Sequence, residues 1–416
     1  MIARILTAET ALSFDQLEAQ AQRILSAFAA SGHEPVAPSV IQPAGVFLDA
    51  IGEALRARTY VFTDPGGSEL CLRPDLTLPV CRLHLERDPS GSTHARYCYN
   101  GAAFRYQPAS AGPTHPREFR QAGIEQIGTR PGVTPERADA ECLAAVLDAL
   151  AAAGLPPEAV DIRSGDLALA QAILAAVDMP ARWRRRLAGL HGRPEAFRAE
   201  LARLSATPGS QAQDLAQLLG PHVRADLLDR LAATHDTPTA KADQIAIVSS
   251  HLEACALDPI GARTVEDLAQ SLAALARDAV ARPLDPEATA VIERYAGITC
   301  RLADLPSALS RLAVDTGVAI GPAIASVERR VAALEAADVD VGRISFCGEF
   351  GRSLAYYTGF VFEIGVPDLP QSSPIAGGGR YDGLMRACGA RCDVPAVGAA
   401  IHTERLLSAL AGGTAP

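Results

Sequence analysis

The feature that most constrains the fold is a helical middle region set between two strand-rich regions. Short extended segments, separated by proline and glycine turns, fill residues 35–130 and 340–410. Between them, from about residue 176 to 315, the chain is rich in alanine and leucine and has helical periodicity. This order is not the regular strand–helix alternation of a parallel doubly wound sheet. It predicts an α+β protein, with helices flanking an antiparallel sheet and a helical insertion.

Local patterns define several elements more closely. Residues 13–31 carry an apolar stripe at helical spacing. The segments 60–63 and 69–72 are rich in strand-forming residues and are separated by Asp-Pro-Gly-Gly, so they predict a hairpin. A helix over 136–153 is predicted to begin with Thr134 as its N-cap, followed by proline at the first helical position.

The overall charge argues against a general nucleic-acid binder. The chain carries a formal net charge of −10 at pH 7, whereas such binders usually carry a basic surplus. The run Arg182-Trp183-Arg184-Arg185-Arg186 is locally basic, and its simplest interpretation is a solvated helix face.

Cysteine spacing and hydropathy exclude several other classes. The nine cysteines show no CxxC pair and no zinc-type spacing, so we expect neither a metal nor a cofactor. The N-terminal MIARILTAET lacks the features of a secretory signal. No apolar run reaches the roughly 18 residues of a membrane span. We therefore expect a cytoplasmic protein without a membrane partner.

The glycine-rich segment GGGRYDG at 377–383 is predicted to form a turn, because glycine readily adopts positive φ angles. It is not a phosphate-binding P-loop, since no Gly-Lys-Ser/Thr follows. By itself the segment does not identify a ligand.

Two arginines provide the first link to a known family. Arg105 precedes a loop rich in proline, glycine and alanine, and Arg405 lies in Glu-Arg-Leu-Leu at a late strand–helix junction. An antiparallel sheet with arginines at these places resembles the catalytic core of class II aminoacyl-tRNA synthetases. In that family the first arginine binds the α-phosphate of ATP through paired hydrogen bonds. The second stacks on the adenine and contacts the γ-phosphate.

Further segments resemble histidyl-tRNA synthetase in the same order along the chain. The segment GHEPVAPSV (32–40), with Pro38, resembles the motif that builds the class II dimer interface, which implies a homodimer. We expect a first core part at 1–175, a helical insertion at 176–315 and a second core part at 316–416. The remaining matching segments are LRPDLT (72–77), FRQAGIEQIG (119–128), RSLAYYTGFVFE (352–363) and GGGRYDGL (377–384).

The matching positions imply a pocket for free histidine. Such a pocket needs groups that accept from the ammonium and the imidazole N–H, donors for the carboxylate, and aromatic groups around the ring. By resemblance, Asp75 and Gln121 meet the ammonium. Glu125 and Tyr357 meet the imidazole, and Tyr381 lies near them. The residues assigned to the pocket are Asp75, Gln121, Glu125, Arg352, Tyr356, Tyr357 and Tyr381.

Within this set, Arg352 matches the synthetase arginine that faces the carboxylate of the amino acid.

Each residue taken singly also has an ordinary explanation. Gln121 and Glu125 are four apart on a strand and fit an exposed polar stripe. Tyr356 and Tyr357 fit core and surface aromatics at a strand end. The ordered set favours the pocket.

The nucleotide half departs from the synthetase pattern at several positions. Gln107 stands where the synthetases have an acid that accepts from the adenine amino group, although an amide oxygen also accepts. Ala355 replaces an acid. His402 replaces a glycine beside the adenine, where an imidazole should obstruct the base. The predicted vestigial nucleotide site consists of Arg105, Gln107, His402 and Arg405.

The chain ends soon after Arg405, where a histidyl-tRNA synthetase continues into an anticodon-binding domain. We therefore expect no anticodon-binding domain and no tRNA partner. The acidic net charge agrees with this expectation.

These traits together resemble the regulatory subunits of ATP phosphoribosyltransferase, paralogues of histidyl-tRNA synthetase without aminoacylation. The resemblance implies a non-catalytic subunit that activates a short-form catalytic subunit in the first step of histidine biosynthesis and mediates feedback by free histidine. The surface that contacts the partner stays open. It also stays open whether histidine binds in the synthetase-like pocket or at a subunit interface.

Two other hypotheses are considered. The first is a truncated histidyl-tRNA synthetase-like enzyme that adenylates histidine, which Arg105, Arg352 and Arg405 favour and which Gln107, Ala355 and His402 oppose. The second is an interaction protein without a ligand, for which the pocket residues would be a coincidence.

Overall fold

The computed structural model describes residues 11–45, 53–91, 93–107, 116–206, 225–234, 239–255, 264–352, 354, 356–367, 369–370 and 373–411. The strands are β1 (Glu34–Pro35), β2 (Ile41–Pro43), β3 (Val61–Thr63), β4 (Glu69–Leu72), β5 (Ala95–Phe104), β6 (Glu118–Ile127), β7 (Asp161–Asp166), β8 (Thr299–Arg301), β9 (Ile344–Cys347), β10 (Phe360–Gly365), β11 (Ala376–Arg380) and β12 (Ala396–His402). The helices are α1 (Ala11–Ala30), α2 (Glu53–Arg56), α3 (Thr77–Arg87), α4 (Pro135–Ala152), α5 (Leu167–Ala176), α6 (Ala181–Leu190), α7 (Pro194–Ser205), α8 (Ala225–Ala232), α9 (Ala240–Ala254), α10 (Val265–Val280), α11 (Pro286–Ala296), α12 (Leu305–Thr316), α13 (Gly321–Glu335), α14 (Leu384–Ala387) and α15 (Thr403–Leu410).

A nine-stranded sheet carries the main core. Its strand order is β1-β5-β6-β12-β11-β10-β7-β9-β8. Neighbouring strands are antiparallel except for the pairs β1 with β5 and β7 with β9. Helix α4 packs against β6, β11 and β12. The predicted α+β fold, an antiparallel sheet flanked by helices, is confirmed.

The two long strands at the centre of the fold place the site residues. The strands predicted at 96–106 and 118–128 are confirmed as β5 and β6, which pair from Ala95 opposite Ile127 to Phe104 opposite Glu118. Because successive side chains of a strand alternate between faces, Gln121 and Glu125 share one face of β6. Both are buried despite their polarity.

Several local predictions are confirmed. The helix predicted at 13–31 is α1, and the hairpin predicted from 60 to 72 is the antiparallel pair β3–β4. Helix α4 begins at Pro135, and the Thr134 hydroxyl accepts a hydrogen bond from the Arg137 amide at 3.3 Å. These elements depend on neighbours in the sequence, which explains why local patterns predict them.

The prediction of a turn over 377–383 is wrong for its first half. Residues 376–380 form β11, a fully buried strand between β10 and β12. A Cβ on Gly378 would overlap the main-chain oxygen of Gly398, and a Cβ on Gly377 would overlap the Arg352 guanidinium. The glycines therefore allow close approach inside a sheet, a second use of glycine that turn patterns do not reveal.

Residues Val177–Leu187 and Glu195–Ile292 form a compact helical unit. Helices α8, α9 and α10 pack together within it, as the alanine- and leucine-rich composition predicts. The buried residues of this core are Leu227, Leu228, Leu231, Val248, Ala269, Ala273 and Ala276.

The interpretation of the basic run in this unit as a solvated helix face is wrong for Arg182, Trp183 and Arg186, whereas Arg185 is exposed as expected. Trp183 is buried, and its Nε1 donates to Asp278 Oδ1 at 2.6 Å. Arg182 Nε and Arg186 Nη1 each donate to the same carboxylate at 2.5 Å. Asp278 has no exposed surface, so the run supplies the donors that a buried carboxylate requires.

The second compact unit comprises Met1–Ala176, Ala188–Pro194 and Glu293–Pro416, and it contains the nine-stranded sheet. The division into core parts at 1–175 and 316–416 around an insertion at 176–315 stays a proposal. Within the described part of the chain, no helix is both long and apolar enough to cross a membrane.

Candidate functional site

Direct contacts join six of the seven predicted pocket residues. Tyr381, just after β11, donates a short hydrogen bond to Glu125 Oε2. The Tyr356 ring lies 5.7 Å from the Tyr381 ring, and its hydroxyl lies 3.5 Å from Asp75 Oδ2. Tyr357 packs on Tyr356 with a centroid distance of 4.8 Å. Arg352 lies over the Tyr357 ring at 5.7 Å.

Glu125 is the buried centre of this cluster. Tyr99, on the neighbouring strand β5, donates to Glu125 Oε1 at 3.0 Å, while Tyr381 donates to Oε2. Burial raises the pKa of the Glu125 carboxyl to about 8, against the hydrogen bonds that favour its charged form. The carboxyl is therefore mainly protonated at neutral pH, and it both donates and accepts.

Asp75 lies between β4 and α3, at the other end of the tyrosine group. It has 3% exposure, and the Leu78 amide is 3.4 Å from its Oδ1. Burial raises the pKa of Asp75, and the nearby Arg105 guanidinium opposes the rise. The cluster thus contains two buried carboxyl groups linked through phenols.

Gln121 is buried on the same face of β6 as Glu125. Its side chain has 5% exposure, and its Oε1 has no hydrogen-bond partner within the described part of the chain. A buried amide oxygen without a partner costs free energy unless a ligand or water donates to it. The alternative of an exposed polar stripe is excluded, because Glu125 has no exposure at all.

Arg352 folds back onto the sheet. Its Nη1 donates to the main-chain oxygen of Phe362 at 3.1 Å and lies 3.4 Å from the Glu363 carboxylate. Its guanidinium occupies the space above Gly377. Its role toward a carboxylate ligand stays a prediction. Ser353 and Ala355, on either side of Leu354, lie outside the described residues.

Two residues of the predicted vestigial nucleotide site, Arg105 and His402, pack on the ring of Phe119. The His402 ring lies 5.3 Å from the Phe119 ring at a tilt of 37°, and the Arg105 guanidinium lies 5.0 Å from it. Arg105 Nε also donates to Pro74 O at 2.8 Å. Burial lowers the pKa of His402 well below its usual value, and the guanidinium of Arg405 adds to the effect. The imidazole is therefore neutral and packs as an aromatic ring.

The other two residues of this set have partners in the main chain. Arg405 Nη1 donates to Pro374 O at 2.9 Å. Gln107 is buried beyond the end of β5, and its main-chain oxygen accepts from Arg117 Nε at 3.1 Å. Residues 108–115, where the sequence predicts a loop, lie outside the described residues.

The sequence analysis missed Tyr99 and Thr77. Tyr99 is buried and holds Glu125, and the Thr77 hydroxyl also hydrogen-bonds to Glu125. Tyr99 lies opposite Gly123, where a Cβ would crowd the phenol. The pairing of β5 with β6 therefore decides the role of Tyr99, and a glycine between two polar residues on one strand face is the signal that points to it.

Known proteins are similar to this chain in sequence and in fold. The family model described as histidyl-tRNA synthetase matches residues 12–260 and 243–406. An ATP phosphoribosyltransferase regulatory subunit from Rhizobium meliloti (strain 1021) is 36% identical over 380 residues, which cover 90% of this chain and 92% of that protein. Its counterpart from Rhizobium rhizogenes (strain K84) is 35% identical over 388 residues, which cover 93% and 96%.

A solved structure shows the same fold. It is described as an ATP phosphoribosyltransferase regulatory subunit/histidyl-tRNA synthetase from Bacillus halodurans, and it superposes with a TM-score of 0.62 at 18% identity, over 98% of this chain and 82% of that one. The fold is therefore that of a class II synthetase core. The chain belongs to the family of ATP phosphoribosyltransferase regulatory subunits, which is related to histidyl-tRNA synthetase.

Proposed function

We propose that this chain is a non-catalytic subunit that binds free histidine and activates a short-form catalytic subunit of ATP phosphoribosyltransferase. In this proposal the partner carries out the first step of histidine biosynthesis, and histidine bound to this chain conveys feedback. In this proposal the chain does not bind tRNA. The proposal combines the family membership with the geometry of the pocket.

The observation that carries the histidine proposal is that Glu125 and Gln121 lie on one buried strand face, and that Gln121 Oε1 has no hydrogen-bond partner among the described residues. The Gln121 oxygen and the Asp75 carboxyl suit the α-ammonium group, which only donates hydrogen bonds. Glu125 and the Tyr381 phenol suit an imidazole, whose two nitrogens require one donor and one acceptor. The rings of Tyr356 and Tyr357 supply flat apolar walls.

The nucleotide side supports a subunit without adenylating activity. A stacking surface on Phe119 is covered by the chain's own His402 ring, and Arg352 fills the space above Gly377. A flat base would have to displace the imidazole. This packing disfavours the alternative of a truncated synthetase-like enzyme that adenylates histidine.

Self-association through the region of Pro38 is part of the proposal. Pro38 is buried, and its main-chain oxygen accepts from Arg73 Nη1 at 2.5 Å, which holds the segment in place. Exposed apolar side chains lie on the three-stranded sheet β2-β4-β3 and at the residue just before β2. They are Val40, Ile41, Val61 and Phe62, with exposures of 38%, 52%, 41% and 38%. Clustered exposed apolar residues favour a protein partner.

Calorimetry with histidine tests the pocket. We expect the purified chain, or its complex with the catalytic subunit, to bind histidine, and Gln121→Leu to weaken binding by roughly tenfold or more, since a hydrogen bond to a charged group contributes about 1.5–3 kcal/mol. Imidazole, which lacks the ammonium group, should bind both forms equally. Gln22→Leu on the exposed face of α1 is the matched control. Equal histidine affinity in wild type and Gln121→Leu would contradict the assignment.

Two assays separate the regulatory subunit from the enzyme. The catalytic subunit should turn over faster when this chain is present. Histidine should reverse this activation, and it should do so at a lower concentration with the wild-type chain than with Gln121→Leu. The chain alone should show no histidine-dependent pyrophosphate exchange with ATP. Measurable exchange would establish the adenylating enzyme instead.

A further inference from the structure

A cavity lies on the face of the sheet opposite Glu125. Gln126 follows Glu125 on β6 and therefore points to the other side of the sheet. There it lines a cavity of about 70 Å³ between the sheet and the start of helix α4. Arg130, Thr134 and Arg380 line the same cavity, and His94 lies at its wall.

Three polar atoms at this cavity have no hydrogen-bond partner among the residues that the structure describes. They are Gln126 Nε2, Arg380 Nε and His94 Nδ1. Gln126 has 5% exposure and Arg380 has 6%. The first two atoms are donors, and the imidazole nitrogen donates in one tautomer. Buried donors without partners are costly, so three such groups on residues that line one cavity point to a bound acceptor.

The charges around the cavity favour an anion over a neutral acceptor. Two guanidinium groups share a single carboxylate, Glu141: Arg130 Nη2 donates to both of its oxygens at 2.6 Å, and Arg137 Nε donates at 3.1 Å. Burial lowers the pKa of a third arginine, Arg96, and the electrostatic effect of Glu141 opposes the change. Arg380 is balanced by Asp139 and Asp382, so the positive excess lies on the Glu141 side.

The first turn of α4 contributes the positive end of the helix dipole, while two of its amides are already paired. The Arg137 amide donates to Thr134 Oγ1, and the Ala138 amide donates to Thr134 O at 3.0 Å. A ligand would therefore bind through side chains, with the positive end of an 18-residue helix close by.

We propose that this cavity binds a small tetrahedral oxyanion, as free phosphate or as the phosphoryl group of a small molecule. The anion accepts hydrogen bonds from Gln126 Nε2, Arg380 Nε and His94 Nδ1, the last in the tautomer that carries its hydrogen on Nδ1. The volume exceeds the 10–15 Å³ or so that one water requires. The site is separate from the histidine pocket because the sheet lies between them.

Thermal unfolding with added ligand tests the site in solution. Sodium phosphate, compared with sodium chloride at equal ionic strength and pH, should raise the Tm of wild type because a ligand that binds the folded state stabilises it by mass action. Gln126→Glu, which places a carboxylate in the cavity, should lose this shift. Gln126→Met, which removes the donors at similar volume, should lose most of it. Gln22→Glu, on an exposed helix face, is the charge-matched control and should keep it.

Equal phosphate-dependent shifts in wild type, Gln126→Glu and Gln126→Met would overturn the proposal. Crystals grown without sulfate or phosphate and soaked in selenate provide a direct measurement. An anomalous selenium peak next to Gln126 and Arg380 supports the site, and water alone in the cavity overturns it. A parallel titration with methyl phosphate distinguishes free phosphate from a phosphorylated molecule as the natural ligand. A Tm shift equal to that of inorganic phosphate indicates a phosphoryl group carried on a larger molecule, and no shift indicates the free ion.

Discussion

Glu125 has no exposed surface and lies between two phenols, Tyr99 and Tyr381. Hydrogen bonds from both phenols favour the carboxylate, yet burial outweighs them and raises its pKa to about 8. A residue that accepts this cost needs a compensating role, and binding an imidazole is one such role. Gln121, on the same face of β6, and Asp75, beside Tyr356, are also polar and buried.

The pH dependence of stability tests the state of Glu125. Between its usual pKa of 4.5 and its folded value of about 8, the folded chain retains a proton that the unfolded chain has lost. The contribution of Glu125 therefore lowers the free energy of unfolding as the pH rises through this window, by up to about 1.4 kcal/mol per pH unit. We expect Glu125→Gln to remove this pH-dependent decrease. The free energy of unfolding of the variant, measured by urea denaturation and compared with that of wild type, should therefore increase from pH 5 to pH 8.

The control for this measurement is Glu118→Gln, at the exposed end of the same strand. Its free energy of unfolding should follow the wild-type pH profile. Parallel profiles for wild type and Glu125→Gln would show that Glu125 is already ionised in the folded chain at neutral pH.

At the scale of elements, β11 shows how a strand can be built from residues that disfavour strands. Gly378 pairs with Phe362 on one side and Ala399 on the other. A Cβ at Gly378 would meet the main-chain oxygen of Gly398 and the Cβ of Ala399, neither of which can move independently of β12. Close strand packing therefore selects glycine here, against its low strand propensity.

We expect Gly378→Ala to lower the free energy of unfolding by about 1–3 kcal/mol or more, as overpacking in a tight core does. Gly365→Ala, in the neighbouring strand β10, is the control, because nothing lies within 4 Å of a Cβ built at that position. Chemical denaturation compares the two variants. A similar small loss for both would show that β11 and β12 have room to separate.

The helical unit depends on a buried ionic cluster that joins α6, α7 and α10. Asp278 accepts from Arg182, Trp183 and Arg186, and Arg203 lies 3.4 Å away. The surrounding guanidiniums lower the pKa of Asp278, although burial opposes them. The carboxylate is therefore charged. Its loss would remove the acceptor of the buried Trp183 indole and an ion-pair partner of Arg182, Arg186 and Arg203. Arg186 and Arg203 would keep their second partner, Glu200.

Asp278→Asn should destabilise the unit by about 3–5 kcal/mol, the usual cost of removing one partner from a buried ion pair. The control is Asp315→Asn, which breaks an exposed pair with Arg294 at 2.5 Å and should cost about 1 kcal/mol or less. Circular dichroism during thermal unfolding should show an earlier loss of helix for Asp278→Asn alone. Matching melting curves for the two variants would mean that the cluster contributes little.

At the scale of the whole molecule, the exposed apolar residues near Pro38 are the strongest feature in favour of self-association. Ile41 and Phe62 belong to the small sheet β2-β4-β3, and both are exposed. A charge at Phe62 would be desolvated in a dimer and solvated in a monomer. It should therefore weaken the dimer without unfolding the chain.

Light scattering after size-exclusion chromatography tests this arrangement. Wild type should elute as a dimer or larger assembly, and Phe62→Asp should shift toward the monomer mass. Val314→Asp is the control, because Val314 is 83% exposed and lies elsewhere on the same unit. Unchanged mass for Phe62→Asp would exclude this surface from the interface.

Two things could be predicted from the residues alone: the elements that depend on near neighbours in the chain, and the resemblance to a known family. The Thr134 cap and the β3–β4 hairpin follow from residues a few positions apart, and the shared face of Gln121 and Glu125 follows from the two-residue period of a strand. The tertiary structure decided the rest, because the partners are distant in the chain. Trp183 and Asp278 are 95 residues apart, and Tyr381 and Glu125 are 256 apart. No local pattern indicates that the basic run supplies donors inside a core or that β11 needs glycine for close packing, since both depend on which surfaces meet after folding.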